Sequence, residues 1–349
     1  MKVALVGFQG SGKTSVLNAL TGRTADTGFG KKGPNLERIP VPDPRIDRLT
    51  EIYQPKKVAY AEIRFVDVAG PMGGSERSTS GLDPEVVALV RESDALVHVV
   101  RGFDNPALNT PADPARDVGG FEDELILTDM VQMEKRIARL KKEKRGPELD
   151  LLEKLYAGLE EGVALRRQSL DADVVKSLAG FSFLSLKPVL VVLNQAEGDV
   201  GSAVPEAVAA AASERSVDVI ALCATLEAEI MAMAPDDQRA FLADLGLDEP
   251  VRARFIRAAY RLLDLISFLT SGEDEVRAWT ISRGMTARTA AGKIHSDLER
   301  GFIRAEVMAW ADFAQFGSEA KVKEAGKFRL EGKDYIVCDG DIMHVRHNS

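Results

Sequence analysis

The chain has 349 residues, a formal net charge of -9, and 45% hydrophobic and 28% charged residues. This length accommodates two or three domains with cores of their own, and the composition is that of an ordinary globular protein. No apolar run has the length of a membrane span, which argues against a membrane protein, and the acidic balance argues against wholesale coating of nucleic acid. The two cysteines are too few for a disulfide framework and indicate a reducing, cytoplasmic compartment.

The chain begins with the pattern of a phosphate-binding loop. Residues 7–14 read Gly-Phe-Gln-Gly-Ser-Gly-Lys-Thr and fit G-x-x-x-x-G-K-[ST], between a strand predicted over 2–7 and a helix predicted over 15–20. The glycines allow successive N–H groups to point at a phosphate, and the helix N-terminus adds its positive dipole end. Lys13 is predicted to reach the β and γ phosphates, and Thr14 to ligate Mg²⁺. An ordinary glycine turn is the alternative, and the flanking strand and helix disfavour it. The predicted nucleotide contacts here are Gly7, Gln9, Gly10, Ser11, Gly12, Lys13, Thr14 and Ser15.

A second motif closes the alternating strand at 63–68. Residues 67–70 read Asp-Val-Ala-Gly, a D-x-x-G pattern that is weak alone and stronger on a strand that follows a phosphate loop. Asp67 is predicted to hold Mg²⁺ through water, and the Gly70 N–H to meet the γ-phosphate. The predicted metal ligands are therefore Thr14 and Asp67, with Mg²⁺ as the cofactor.

Two further loops are predicted to contact the base. Asn-Gln-Ala-Glu at 194–197 follows the apolar strand 188–193, at the place where guanine-specific relatives carry N-K-x-D. Glu197 replaces the aspartate that accepts from guanine, which changes the reach of the carboxylate, so guanine selectivity is expected to weaken. Cys-Ala-Thr at 223–225 follows the next strand, where such proteins carry a base-contacting loop. The predicted contacts are Asn194, Gln195, Glu197, Cys223, Ala224 and Thr225.

The order of elements predicts an α/β fold. Strands separated by helix-length segments indicate βαβ units and a mostly parallel sheet. Apolar residues recur at helical spacing over 119–178 with a break at Gly146-Pro147, which predicts an inserted helical hairpin that either grips a partner or packs on itself. After residue 262, short alternating segments around a helical one predict a small α+β domain. The predicted domains are a nucleotide-binding domain at 1–118 and 179–262, the hairpin at 119–178, and the α+β domain at 263–349.

Over nearly its whole length the chain resembles the YchF family of Obg-like ATPases. Ile-Pro-Val-Pro-Asp-Pro-Arg at 39–45, Phe-Val-Asp-Val-Ala-Gly at 65–70 and Arg-Ala-Trp-Thr at 277–280 are similar to motifs of that family, as is the long run at 294–307. The resemblance implies a P-loop NTPase with a coiled-coil arm and a C-terminal β-grasp domain of the TGS type. It also implies a preference for ATP over GTP, slow Mg²⁺-dependent hydrolysis, and association with ribosomes.

Three departures from the family pattern put hydrolysis and switching, rather than binding, in question. Lys31 stands where relatives carry a threonine that binds Mg²⁺ and senses the γ-phosphate, and we expect its ammonium to neutralise the γ-phosphate instead. Gly10-Ser11 replaces the family's Asn-Val, and the loop at 73–78 lacks the family's glycine pattern. As in the branch of P-loop enzymes that the chain resembles, Pro71-Met72 takes the place of a water-positioning glutamine.

Two functional hypotheses follow from different classes. The first is a weak ATPase or GTPase that binds the ribosome or rRNA through its helical and TGS-like domains, or acts in stress regulation. The second is a nucleotide-binding scaffold with little or no turnover that docks to the ribosome, RNA or a protein through the TGS-like domain. A small-molecule kinase is disfavoured because it needs an arginine-rich lid. His295, Arg300 and Arg304 form either a cationic face for RNA or a plain helix surface. The oligomeric state stays open.

Overall fold

The computed structural model describes residues 1–22, 35–68, 84–143, 146–247 and 249–348. They divide into two compact units. The first unit comprises Met1–Ile39 and Arg64–Phe255, and the second comprises Pro40–Ile63 and Ile256–Ser349. The predicted domain bounds stay a prediction, and the units differ from them at residues 40–63, which the sequence pattern assigns to the nucleotide-binding domain.

The secondary structure of these residues is numbered along the chain. The strands are β1 (Lys2–Val6), β2 (Asn35–Pro40), β3 (Lys57–Ala59), β4 (Glu62–Asp67), β5 (Ala95–Gly102), β6 (Val189–Gln195), β7 (Asp218–Leu222), β8 (Leu265–Thr270), β9 (Glu275–Ser282), β10 (Phe302–Ala309), β11 (Arg329–Glu331) and β12 (Asp341–His347). The helices are α1 (Lys13–Thr21), α2 (Pro44–Tyr53), α3 (Pro84–Arg91), α4 (Pro114–Glu143), α5 (Gly146–Glu160), α6 (Ala172–Leu178), α7 (Glu206–Glu214), α8 (Ala224–Ala232), α9 (Pro235–Asp244), α10 (Val251–Leu262), α11 (Ala287–Ile294), α12 (Ser296–Arg300), α13 (Trp310–Phe316) and α14 (Glu319–Glu324). None of them, within the described ranges, has both the length and the apolar character that a bilayer crossing needs.

The sheet of the first unit has the order β2-β4-β1-β5-β6-β7. The pairs from β4 to β7 are all parallel. Every residue of β6 is buried, as is nearly every residue of β5, because helices cover both faces of the sheet. The carboxyl ends of parallel strands meet at one edge, so the loops after β1, β5, β6 and β7 come together there. The predicted α/β fold is confirmed.

The long helix α4 belongs to two cores at once. It begins at Pro114 rather than near residue 119, and proline is well suited to the first turn because its missing N–H would be unpaired there anyway. Phe121 and Leu125 in its first half pack on the sheet beside Val6. Further along, Met133 and Leu140 pack against leucines of α5. The predicted hairpin is present, and its first helix is continuous with the core beneath the phosphate loop.

The second unit is built on a mixed sheet with the order β11-β10-β12-β8-β9-β3. The hairpin of β8 and β9 is antiparallel, and β12 pairs with β8 in parallel. Ala287 and Ala290 of α11 pack on Phe268 and Val307 of this sheet. The unit therefore has the α+β character that the sequence predicts, while the finer TGS assignment stays a prediction.

Residues 40–63 join the second unit through a strand and an ion-pair network. Lys57 of β3 pairs in register with Glu275 of β9. The Arg45 guanidinium donates to Asp43 at 2.8 Å and to Asp339 at 2.9 Å, and these two carboxylates raise the pKa of Arg45 against the opposing effect of burial. The Val-Pro-Asp-Pro-Arg segment thus serves the packing of the second unit.

Candidate functional site

The phosphate loop connects β1 to α1, as the sequence predicts. Gly10 and Gly12 have φ angles of 76° and 86°, in the left-handed region where only glycine is unstrained. Gly12 also caps α1, and a Cβ atom there would collide with the Asn194 side-chain amide. Two glycines of the motif, at the N-terminus of a helix, are therefore required by backbone conformation and by close approach.

Lys13 lies inside the loop that it closes. Its Nζ donates to Gly7 O at 2.8 Å and to Phe8 O at 3.5 Å. Burial lowers the pKa of Lys13, and the nearby Asp67 carboxylate opposes that shift. The ammonium group is thus held by weak carbonyl acceptors, which the oxygens of a phosphate can replace with stronger charge-assisted bonds.

Thr14 and Asp67, the two predicted metal ligands, lie in contact with each other. The Thr14 hydroxyl donates to Asp67 Oδ2 at 2.9 Å, so two side chains from separate elements already meet. Asp67 is buried, and its Oδ1 has no hydrogen-bond partner among the described residues. Such an orphaned carboxylate oxygen is costly unless a ligand satisfies it. A hydroxyl and a carboxylate are suitable Mg²⁺ ligands when substrate phosphates and water supply the rest, so the residues present fit the metal.

Asn194 ties three loops together. Its Nδ2 donates to Ser11 O of the phosphate loop at 3.1 Å, and its Oδ1 accepts from Ala224 N at the start of α8 at 3.1 Å. Asn194 is only 4% exposed, so both bonds are shielded from water. The predicted base-contacting residue therefore already fastens the phosphate loop to the loop at 223–225.

The other predicted base contacts differ in exposure. Gln195 is buried at the end of β6, whereas Glu197 is exposed on the short 3₁₀ turn that follows. Cys223 is buried and caps α8, with its Sγ 3.1 Å from Thr225 Oγ1. Gln9 is exposed at the tip of the phosphate loop, and Ser15 is half-buried in α1. Gly70, Lys31 and the Pro71-Met72 dipeptide lie outside the described residues.

His98 packs beneath the phosphate loop. Its ring stacks on Phe121 at 4.2 Å between centroids and meets Phe8 edge-on at 6.0 Å. Burial, together with the nearby Lys13 charge, lowers the pKa of His98 to about 3. Its place within the apolar run at 95–100 predicts a packed, hydrogen-bonded histidine. The packing is present, and the buried His98 Nε2 has no hydrogen-bond partner in the described ranges.

Sequence reasoning missed the segment between β5 and α4, residues 103–113. Leu108 and Thr110 of this segment line a cavity of about 390 Å³ together with Phe8, Gln9 and Ser11 of the phosphate loop. Arg101, at the end of β5, is 6% exposed, and its guanidinium donates hydrogen bonds to main-chain carbonyl groups of this segment. The only signal in the sequence was an arginine at the end of an apolar strand, a pattern that also suits a surface position.

Comparisons with known proteins match two separate parts of the chain to family models. The MMR_HSR1 family model, described as "50S ribosome-binding GTPase", matches residues 2–134, and the YchF-GTPase_C model, described as "Protein of unknown function (DUF933)", matches residues 265–348. The "Ribosome-binding ATPase YchF" of Pasteurella multocida is 42% identical over 360 residues, which covers 99% of each chain. The chain belongs to the YchF family.

Other members of the YchF family also match the chain over nearly its whole length. The protein of the same name from Bacillus subtilis is 37% identical and covers 100% of this chain and 99% of its own. The structure of the Schizosaccharomyces pombe YchF GTPase superposes with a TM-score of 0.87 at 28% identity, covering 99% of this chain and 97% of that one. The resemblance predicted from the sequence is confirmed, and so is the fold that it implies.

Proposed function

We propose that this protein binds a purine nucleoside triphosphate in the phosphate loop, prefers ATP to GTP, and hydrolyses it slowly with Mg²⁺. The observation that carries the proposal is the contact of Thr14 with Asp67, which leaves one buried carboxylate oxygen without a partner beside Lys13. Packing alone does not explain this arrangement, whereas a triphosphate with its bound metal requires a hydroxyl, a carboxylate and an ammonium group of this kind. Several similar relatives carry the name of a ribosome-binding ATPase.

The residues of the loop supply binding and charge. Backbone N–H groups at 7–14 surround the phosphates, while Lys13 exchanges its carbonyl acceptors for β and γ oxygens. Thr14 and Asp67 would hold Mg²⁺, which supplies neutralisation of the charge on the β and γ phosphates. With Pro71-Met72 at the place of a water-positioning glutamine, no amide side chain from that segment orients the attacking water. Slow turnover is the expected consequence.

The base is proposed to lie against the loops at 194–197 and 223–225. The Asn194 clamp fixes both loops relative to the phosphate loop, so the base site and the phosphate site form one unit. The exposed Glu197 replaces a shorter aspartate and stands one methylene further from its backbone. We expect Glu197→Asp to increase affinity for GTP relative to ATP. An unchanged ratio of the two dissociation constants in an equilibrium titration would refute this role of Glu197.

The proposed partner is the ribosome, and the proposed location is the cytoplasm. The relatives are named as ribosome-binding, and the family model over residues 2–134 carries the same association. The second half of α4 presents the exposed cations Arg139, Lys141 and Lys142, of which Arg139 pairs with Glu143 and Lys141 with Glu153, and the TGS-like second unit presents Arg304. These cations suit a phosphate backbone. Co-sedimentation with ribosomes, with and without ATP, tests the proposal; a protein that stays in the supernatant in both conditions contradicts it.

A second candidate is a scaffold that holds nucleotide without useful turnover. The substitution of Lys31 for the family's threonine favours it, since that threonine would contribute to metal binding. A single-turnover assay separates the two. The protein is in excess over radiolabelled ATP, and the phosphate released without protein is subtracted. Phosphate release that disappears in Lys13→Ala supports the enzyme, whereas tight binding without release supports the scaffold.

A further inference from the structure

Arg101 is a buried cation with an unusual set of partners. Its Nη1 donates to Phe103 O at 3.2 Å, and its Nη2 donates to Thr110 O at 2.8 Å and to Pro111 O at 3.0 Å. Within the described residues these acceptors are all main-chain carbonyls. The Asp117 carboxylate is near enough to interact electrostatically with Arg101, but it accepts no hydrogen bond from the guanidinium within that part of the chain. A buried guanidinium is costly unless its donors are satisfied. Here the guanidinium donors bind carbonyl groups at both ends of one segment, residues 103–111.

The segment that Arg101 holds lies against the phosphate loop. A Cβ atom on Gly10 would lie 2.6 Å from Leu108 Cδ1 and 3.2 Å from Asn105 Nδ2. A Cβ atom on Gly12 would lie 3.9 Å from the Phe103 ring. Three side chains of the segment therefore close the space beside the two left-handed glycines of the loop. The segment is itself compact, since Leu108 N donates to Asn105 O at 2.9 Å.

We propose that Arg101 is a positioning residue that holds residues 103–111 as a brace against the phosphate loop and so keeps that loop in its nucleotide-binding shape. The argument rests on the proposed function, because the benefit of the brace is measured as nucleotide affinity. A glycine-rich loop loses much conformational entropy when it is fixed. A brace that fixes the loop before the ligand arrives reduces that cost at the moment of binding.

The brace also explains why residue 101 is an arginine, with a forked guanidinium, rather than a lysine with a single ammonium group. Its two terminal nitrogens reach carbonyls that are far apart in sequence, at 103 and at 110–111. A lysine at this position offers an ammonium on a flexible stem and cannot hold both ends in the same geometry. Arg101→Lys should therefore be intermediate, and Arg101→Met should release the segment.

The experiment compares four variants of the full-length protein with the wild type. Arg101→Met and Arg101→Lys act on the fork, and Leu108→Ala removes the contact with Gly10 without disturbing the buried charge. Arg166→Met is the matched control, because Arg166 is a half-buried arginine of the same unit that pairs with Glu122 rather than with the brace. Each variant is measured by hydrogen exchange of residues 7–12 and 103–111 without nucleotide, and by equilibrium binding of ATP with Mg²⁺.

Arg101→Met is expected to raise exchange in both segments and to weaken ATP binding about tenfold, the effect of losing the net contribution of one or two hydrogen bonds. Leu108→Ala should raise exchange mainly in residues 7–12 and weaken binding about threefold. Arg166→Met should lower the melting temperature without either effect. Unchanged exchange at residues 7–12 in Arg101→Met, in a protein that stays folded, would overturn the brace. Wild-type protein that fails to bind ATP or GTP would instead refute the proposed function, while the exchange data still decide whether the brace exists.

Discussion

Replacing Asn194 with alanine should damage stability and nucleotide binding together. The substitution removes the bonds to Ser11 O and from Ala224 N, both 3.1 Å long and both shielded from water. Each lost bond leaves a buried polar group unpaired, which costs about 1–3 kcal/mol. Some of this is recovered because water enters the gap, so we expect the free energy of unfolding to fall by about 2–4 kcal/mol.

In Asn194→Ala, nucleotide affinity should fall together with the free energy of unfolding, because the phosphate loop and the loop at 223–225 lose their common attachment to Asn194. The assay is urea unfolding followed by far-UV circular dichroism, paired with an ATP titration of the folded protein. Gln168→Ala is the control: the Gln168 side chain also makes two hydrogen bonds to main-chain atoms, both donated to carbonyls, at 3.2 and 3.0 Å, but within the helical hairpin region. The control should lose stability and keep its affinity. Affinity that is equal in Asn194→Ala and Gln168→Ala would refute the clamp.

The remaining predictions concern acid stability and the second unit. Since the pKa of His98 is lowered to about 3 from 6.5, the unfolded chain binds an extra proton between these values, and the free energy of unfolding should fall by about 1.4 kcal/mol per pH unit on acidification. His98→Phe should lose this part of the pH dependence in urea melts, and an identical slope would contradict the burial of a neutral imidazole. Arg45→Met leaves two carboxylates facing each other and should destabilise the second unit by about 1–3 kcal/mol, a partly exposed case of a broken ion pair. Tryptophan fluorescence reports the unfolding of the second unit, because Trp279 and Trp310, the two tryptophans of the chain, lie in that unit. The control Arg48→Met, which breaks a surface ion pair, should leave the midpoint of the fluorescence transition unchanged.

Features written into local sequence were predictable. The motif at 7–14 specifies a glycine loop between a strand and a helix because each required residue type stands at a fixed offset, and the structure has that loop. The helical spacing of leucine and methionine residues likewise predicted α4 and α5. In both cases the interactions that decide the structure join residues a few positions apart.

Features that depend on distant contacts were not predictable from one sequence. The pairing of Lys57 with Glu275 joins segments that no periodicity links, so the sequence pattern gave no sign that residues 40–63 pack with the second unit. Arg101 holds carbonyl groups, which every residue offers and which leave no signature in the chain. The clamp formed by Asn194 was hidden for a similar reason, since both of its partners are main-chain atoms.

The most direct test of the account is an equilibrium titration of wild type and Lys13→Ala with fluorescent ATP and GTP, each with and without Mg²⁺. We expect the wild type to bind ATP more tightly than GTP, to bind both more tightly with Mg²⁺, and to lose binding when Lys13 is removed. A preference for GTP would contradict the proposed role of Glu197 in the base site. Equal binding by wild type and Lys13→Ala, or no binding by either, would contradict the central claim that the phosphate loop is a working nucleotide site.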